Sequence, residues 1–346
     1  MAAPTAGRSN PSAPSRSPAE VDEVPLRSTS SRQPGTRQPS TWPPSTVGAV
    51  TITDFHPELR KAARWAPSNL IRPRTLPLIR AMQKLQERVP VNGVEVLTTT
   101  DGIKIRLHRP PGQTAPGPAL LWIHGGGYLM GSAQQDDRIC KRFAAQLGIT
   151  VAAVDYRLAP EHTYPAALDD CHTALTWLAG LPAVDPDRVA IGGASAGGGL
   201  TAALAFTARD RGMVTPVLQL LVYPMLDDRS SARTELDDTK YVMWTRDANR
   251  WGWSSYLGSA DPGVAVPSRR TDLAGLPPAW IGVGSHDLFH DEDLAYADAL
   301  TAAGVPCEVV VVPGAFHGFD AVAPKASVSR SFIDSQCAVL KGAFGI

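Results

Sequence analysis

Along most of the chain, apolar residues come in short unbroken runs, each followed by a stretch with helical spacing. The runs are Ala119–Ile123, Thr150–Val154, Arg188–Ile191, Val217–Val222, Ala279–Val283 and Cys307–Val312. The helical stretches are Asp136–Leu147, Ala166–Leu178, Ala196–Arg211, Asp291–Ala303 and Val328–Ala343. Strands covered on both faces lose the in–out alternation, and regular alternation with helices implies parallel pairing. Ahead of this region, Val94–Leu97 and Ile103–Leu107 alternate around Asp101-Gly102, the signature of a hairpin. Earlier still, Leu59, Ala62, Ala63, Leu78, Ile79, Met82 and Leu85 recur at helical spacing, broken by Pro67, Pro73 and Pro77. The pattern predicts one α/β domain with a mostly parallel sheet flanked by helices.

Composition changes the picture at one end. Nine of the 31 prolines fall within residues 1–46, together with nine serines and five arginines. Such a segment buries too little apolar surface to offset its conformational entropy, so a disordered tail is expected there, ahead of a body at 47–346. No apolar signal region follows Met1. The 33 basic and 33 acidic residues cancel, which argues against nucleic acid or an anionic membrane as the partner. Val189–Ala208 carries no charge over twenty positions, but its central glycines suit a buried strand–turn–helix better than a membrane span. No integral membrane segment is expected. The four cysteines, Cys140, Cys171, Cys307 and Cys337, follow no metal-binding spacing. They suggest reduced thiols and a cytoplasmic protein.

In parallel sheets, ligands bind beyond the carboxyl ends of the strands. Four predicted strands end on chemically able residues. Gly193-Ala194-Ser195-Ala196-Gly197 follows the run ending at Ile191 and opens a helix, the context a nucleophile elbow requires. His124-Gly125-Gly126-Gly127-Tyr128 follows Ile123, and its glycines let backbone amides approach an oxyanion. The amides of Gly126, Gly127 and Ala196 are the expected donors, with Gly125 shaping the loop. Asp287 lies just past the run ending at Val283, and His317 just past the one ending at Val312. Ser195, Asp287 and His317 thus fall in the order of an α/β-hydrolase triad. A metal site at His286-x-x-x-His290 with Asp291 and Asp293 is the rival reading. It competes for the same segment as Asp287, and neither metal nor cofactor is expected.

These residues resemble a known family. The His124 glycine loop, Asp155-Tyr156-Arg157-Leu158-Ala159-Pro160-Glu161, the Ser195 elbow, Asp287-Leu288-Phe289-His290-Asp291-Glu292 and His317-Gly318-Phe319 are similar, in order, to motifs of the hormone-sensitive-lipase-like bacterial carboxylesterases. The similarity runs over about 95–345. It implies an α/β-hydrolase fold and a helical cap built from about 50–88 and 225–257. It also implies a Ser195–Asp287–His317 triad, and hydrolysis of short- to medium-chain carboxylic esters through an acyl-enzyme. His124 is implied to hold the oxyanion loop, and Glu161 and Asp169 to be supporting. Two positions depart from the pattern: Ala194 stands where Asp or Thr is common, and Leu288 where Pro is frequent. Tyr128, Met225, Leu226, Trp244, Leu288 and Phe316 are candidates for the substrate pocket. A binding protein without catalysis is disfavoured by the presence of His317, and an amidase or deacetylase would use the same triad. The partner expected is a small, uncharged ester; sheet-edge homodimers among relatives leave a homodimer open.

Overall fold

The computed structural model describes residues 51–66, 71–112, 115–233 and 241–346. The expected tail at 1–46 lies outside the described residues, as do parts of both predicted cap segments, at 50, 67–70 and 234–240.

Eight strands form one sheet in the order β1-β2-β4-β3-β5-β6-β7-β8. They are β1 Glu95–Thr98, β2 Lys104–His108, β3 Gly117–Ile123, β4 Thr150–Asp155, β5 Val184–Ala194, β6 Gln219–Val222, β7 Ala279–Gly284 and β8 Cys307–Val312. β1 and β2 pair antiparallel, and β2 lies antiparallel on β4. Every pairing from β4 to β8 is parallel. The main helices are α1 Arg60–Trp65, α2 Leu76–Gln86, α3 Asp137–Leu147, α4 Ala166–Ala179, α5 Ala196–Arg211, α6 Arg246–Leu257, α7 Pro262–Ala265, α8 His290–Ala302, α9 Phe319–Val322 and α10 Ser327–Phe344.

The unbroken apolar runs have the predicted cause. Along β3, Leu121 and Ile123 belong to one buried cluster, and Leu120 and Trp122 to another on the opposite face. The first cluster takes in Leu175 and Leu178 of α4 and Leu200 and Leu204 of α5. The second takes in Phe143 of α3 and Phe332 and Leu340 of α10. Burying such a side chain contributes roughly 1.5–3 kcal/mol, so each face is a substantial source of stability. Helix ends follow local chemistry: α3 and α5 stop at Gly148 and Gly212, both left-handed. The Thr245 hydroxyl accepts the Ala248 amide to start α6.

Two elements differ from the sequence pattern. β5 begins four residues earlier and runs on through Gly192 and Gly193 to Ala194, because pairing with β3 and β6 carries the strand to the elbow. α2 is turned over. Of the apolar stripe that predicted the helix, Leu78, Met82 and Leu85 are each about two-thirds exposed and Ile79 is half-buried. Leu76 is buried, and the other attachments of the helix are polar. Arg80 donates to the carbonyls of Leu129 and Ala159 at 2.7 and 2.5 Å and pairs with Glu161 at 2.7 Å. Gln83 Oε1 of the side chain accepts the Gly131 amide at 3.2 Å. Loop carbonyls that need donors select this orientation.

Candidate active site

Ser195 sits between the end of β5 and the first turn of α5. Its φ of 57° is left-handed, a backbone state costing of order 1–3 kcal/mol for a non-glycine residue. Neighbouring backbone holds it there: the Ser195 amide donates to the Val222 carbonyl at 2.9 Å, and the Met225 amide donates to the Ser195 carbonyl at 3.0 Å. The turn needs space beside it. A β-carbon on Gly197 would lie 2.0 Å from the Ile123 carbonyl oxygen, so only glycine fits.

The imidazole of His317 completes a chain of hydrogen bonds. Its Nε2 is 2.9 Å from Ser195 Oγ, and its Nδ1 is 2.8 Å from Asp287 Oδ2. Asp287 Oδ1 accepts the Phe289 amide at 3.0 Å. All three residues are buried, at 7, 3 and 8% exposure for Ser195, Asp287 and His317, so bulk water cannot compete for these bonds. The two loops that carry the acid and the base are tied together. The Ser285 amide donates to the Val312 carbonyl at 3.0 Å, the His286 amide to Ala315 at 2.9 Å, and the Gly314 amide to Ser285 Oγ at 2.8 Å.

The glycine loop lies directly over the elbow. A β-carbon on Gly125 would come 2.9 Å from the Ala194 carbonyl oxygen. Gly126 and Gly127 have φ of 133° and 61°, which turn the chain back over Ser195. Ala196 is the first residue of α5, so its N–H is among those that a helix start leaves without an intrahelical acceptor. His124 is not in contact with Ser195 in any hydrogen bond. Its Nδ1 meets the Gly125 carbonyl at 2.8 Å, and its ring stacks on Tyr156 with centroids 4.2 Å apart. Burial pushes its pKa down, so the ring stays neutral. The Tyr156 hydroxyl donates to the His124 carbonyl, fixing the loop from below.

The pocket candidates separate into groups. Trp244 covers the glycine loop: a β-carbon on Gly127 would come within 2.0 Å of its indole. Tyr128 stacks on Tyr256 of α6, centroids 4.0 Å apart, and adopts a φ of 65°. Met225 and Leu226 are fully buried behind the elbow, and Leu288 is buried beside Asp287. Phe316 lies elsewhere, in the opposite-face core with its ring edge-on to Phe55. Glu161 is largely exposed and engaged by Arg80, which lowers its pKa. Asp169 faces Arg211 at 3.4 Å.

The metal reading fails on geometry. His286 precedes α8, with its ring against Phe55, while His290 begins the helix and meets Asp291 at 2.9 Å. Among the described residues no group of three or more metal-ligating side chains converges.

Three residues of the site were given no role from the sequence, although Phe289 and Glu292 lie within the Asp287–Glu292 motif. Tyr223 and Phe289 present their rings edge-on to His317 at 4.9 and 5.1 Å and fix its plane. Glu292 accepts the amides of Leu226 and Asp227 at 2.7 and 3.0 Å and the Ser230 hydroxyl, pinning the segment after β6. Burial raises its pKa well above the usual range. Tyr223 had a signal: it is the first residue beyond β6, at the carboxyl edge of the sheet.

A strained serine, a buried imidazole–carboxylate pair and a glycine loop over the elbow are equipped for acyl transfer. The family model described as alpha/beta hydrolase fold matches residues 120–321. The chain is 38% identical over 233 residues to esterase LipI of Mycobacterium tuberculosis, covering 63% of this chain and 71% of that one. The chain belongs to the hormone-sensitive-lipase-like esterases of the α/β-hydrolase superfamily. It is a carboxylic ester hydrolase. This esterase is also 36% identical over 237 residues to an ethyl acetate hydrolase of Pseudomonas putida, covering 64% of this chain and 74% of that one. Its fold matches a solved bacterial heroin esterase with a TM-score of 0.76 at 35% identity, over 85% of this chain and 99% of that one. No helix among the described residues of the esterase is long and apolar enough to cross a membrane.

Proposed function

We propose that this esterase cleaves short- to medium-chain carboxylic esters with Ser195 as nucleophile, His317 as general base and acid, and Asp287 as the group that orients His317. The observation that carries the reading is the unbroken chain from Ser195 Oγ through the imidazole to Asp287, at 2.9 and 2.8 Å. His317 Nε2 takes the Ser195 proton as Oγ bonds to the ester carbonyl carbon. The amides of Gly126, Gly127 and Ala196 receive the negative charge on the former carbonyl oxygen. The imidazolium then protonates the leaving alkoxide as the carbon–oxygen bond breaks. Water repeats the sequence on the acyl-serine, returning the proton to Ser195 and releasing the acid. Asp287 holds Nδ1–H and stabilises the imidazolium between the two transfers.

The segments around 50–88 and 225–257 act as a cap. Supporting this, Arg80 and Gln83 of α2 grip the loop after Tyr128, and α6 stacks Tyr256 on Tyr128 itself. Trp244 and Tyr128 then bound the acyl side of the pocket. The protein is further read as cytoplasmic, supported by four free thiols of which three are buried, and as a homodimer through a sheet edge. Sedimentation of the purified protein decides the dimer.

Ser195→Ala is expected to abolish hydrolysis of p-nitrophenyl acetate and butyrate, and labelling by a fluorophosphonate, while the melting temperature holds. Undiminished turnover would sink the assignment. An ester panel from acetate to palmitate should peak at short acyl groups, and matched anilides report any amidase activity.

A further inference from the structure

Behind the nucleophile elbow, on the face of the sheet that carries α3 and α10, lies a half-enclosed cavity of about 230 Å³. Ala194, the residue before the nucleophile, forms part of its wall, as do Trp122 and Tyr223. Two carboxylates face it, Asp136 at the start of α3 and Asp320 in α9. Asp136 Oδ2 accepts the Trp122 indole N–H at 2.7 Å, and Asp320 Oδ1 accepts the Tyr223 hydroxyl at 2.8 Å. Both donors are neutral. Among the described residues neither carboxylate has an ion-pair partner, and Asp320 opposes the ionisation of Asp136 through space. The wall also includes Gln336, 1% exposed, whose Nε2 meets no acceptor. A buried amide donor left without a partner costs about 1–3 kcal/mol, so the cavity contains a polar group whose complement is missing.

We propose that this cavity is a second binding site, distinct from the ester pocket, for a small organic ammonium ion that carries an oxygen acceptor. The ammonium lies between Asp136 and Asp320 and supplies the ion pair that neither makes within the protein; His317 acts on Asp320 through space without pairing with it. The ligand oxygen accepts from Gln336 Nε2. The walls of Trp122, Ile139, Val222 and Ile333 take the alkyl part. Cations of the protein do not fill this role. Arg142 at the rim is already engaged by Asp334 and Gln146. Arg138, also at the rim, is not among the charges that act on Asp136. Asp137 faces the other way, toward Arg106 and His108. Burial and the neighbouring Asp320 leave the Asp136 carboxyl at about 7, so a bound ammonium ion drives off its proton near neutral pH.

The test is isothermal titration of the Ser195→Ala protein, in which ester chemistry is silent, with ethanolammonium chloride. Ethylene glycol serves as the uncharged counterpart. Saturable one-to-one binding is expected for ethanolammonium and not for ethylene glycol, with proton release seen as a dependence of the heat on buffer ionisation at pH 7. Asp136→Asn should weaken binding at least about tenfold. Ala321→Trp, placed at the exposed rim where it fills the cavity without disturbing the core, should abolish it. Equal binding of ethylene glycol, binding that survives both substitutions, or no saturation at all would each overturn the proposal.

Discussion

Asp287 has no spare oxygen: one takes the Phe289 amide and the other the imidazole N–H. Asp287→Asn keeps the shape but can present its NH₂ to Nδ1, which selects the wrong tautomer. The expected result is a fall in kcat on the order of 10⁴-fold, with KM for p-nitrophenyl butyrate and the melting temperature nearly unchanged. Gly127 shows a different kind of constraint. Its backbone is left-handed and its α-carbon lies against the Trp244 ring, so Gly127→Ala should cut kcat/KM at least about 100-fold by displacing the oxyanion donors. If the clash with the indole is the cause, adding Trp244→Ala should recover part of the loss, measurable as a double-mutant cycle. At this scale the sequence was informative wherever chemistry requires a residue type. Ser195, Asp287, His317 and the glycines were legible because the reaction leaves few substitutes. Tyr223 and Phe289 were not, because any aromatic at a strand end reads as core until the ring is seen against His317.

Among the elements, legibility followed the source of stability. The strands from β3 to β8 and helices α3, α4, α5, α8 and α10 are held by apolar burial, which hydropathy records directly. α2 is held by something hydropathy does not record. Its grip on the body is mostly polar, three donations from Arg80, one acceptance by Gln83 and one by the Gln86 carbonyl from Gln134, while of its apolar residues Leu76 is buried and Leu78, Met82 and Leu85 face out. The periodicity was right about the helix and silent about which face turned inward, because the deciding partners are carbonyls of a loop far away in sequence. Arg80→Ala therefore removes the attachment, not only a surface charge. It leaves the carbonyls of Leu129 and Ala159 to find other donors, and should cost on the order of 2 kcal/mol. Hydrogen exchange should speed up across 76–86 and the 128–131 loop and stay unchanged in β5 and β7. Because that loop continues from Gly126 and Gly127, KM for bulky esters should change more than the stability of the sheet does. Arg80→Met, which preserves the stem, would recover packing but not exchange protection.

For the whole molecule, the balance of 33 basic and 33 acidic side chains hides an uneven placement. Some carboxylates paired with arginine have lowered pKa values, Glu161 beside Arg80 and Asp185 beside Arg188 among them, and Asp291, between His290 and Arg233, is held down to about 2. Asp136, Asp320, Glu292 and Asp293 are in the opposite state, raised chiefly by burial, and Asp293 makes no hydrogen bond through either oxygen. The two sets act on stability with opposite signs. A carboxyl whose pKa is lowered by folding stabilises above its unfolded value and loses that contribution as pH falls, for Asp291 between about 4 and 2. A carboxyl raised by folding contributes fully below its unfolded value and loses the contribution as pH rises through its folded one. For Asp136 that window runs from about 4 to about 7. The melting temperature of the wild-type protein should therefore decline from mildly acidic to neutral pH, where proteins held together by surface ion pairs are usually flat. Asp136→Asn should flatten part of that decline, with the gain at pH 8 relative to pH 5 on the order of 2 kcal/mol, since the side chain is half-buried and solvent screens some of the penalty. Denaturant melts at pH 5, 6, 7 and 8 measure this directly. A variant whose stability tracks the wild type at every pH would mean that Asp136 carries no such penalty. The remaining decline would then belong to Asp320, Glu292 and Asp293, and Asp293→Asn, which leaves Asp287 in place, should remove the Asp293 part of it.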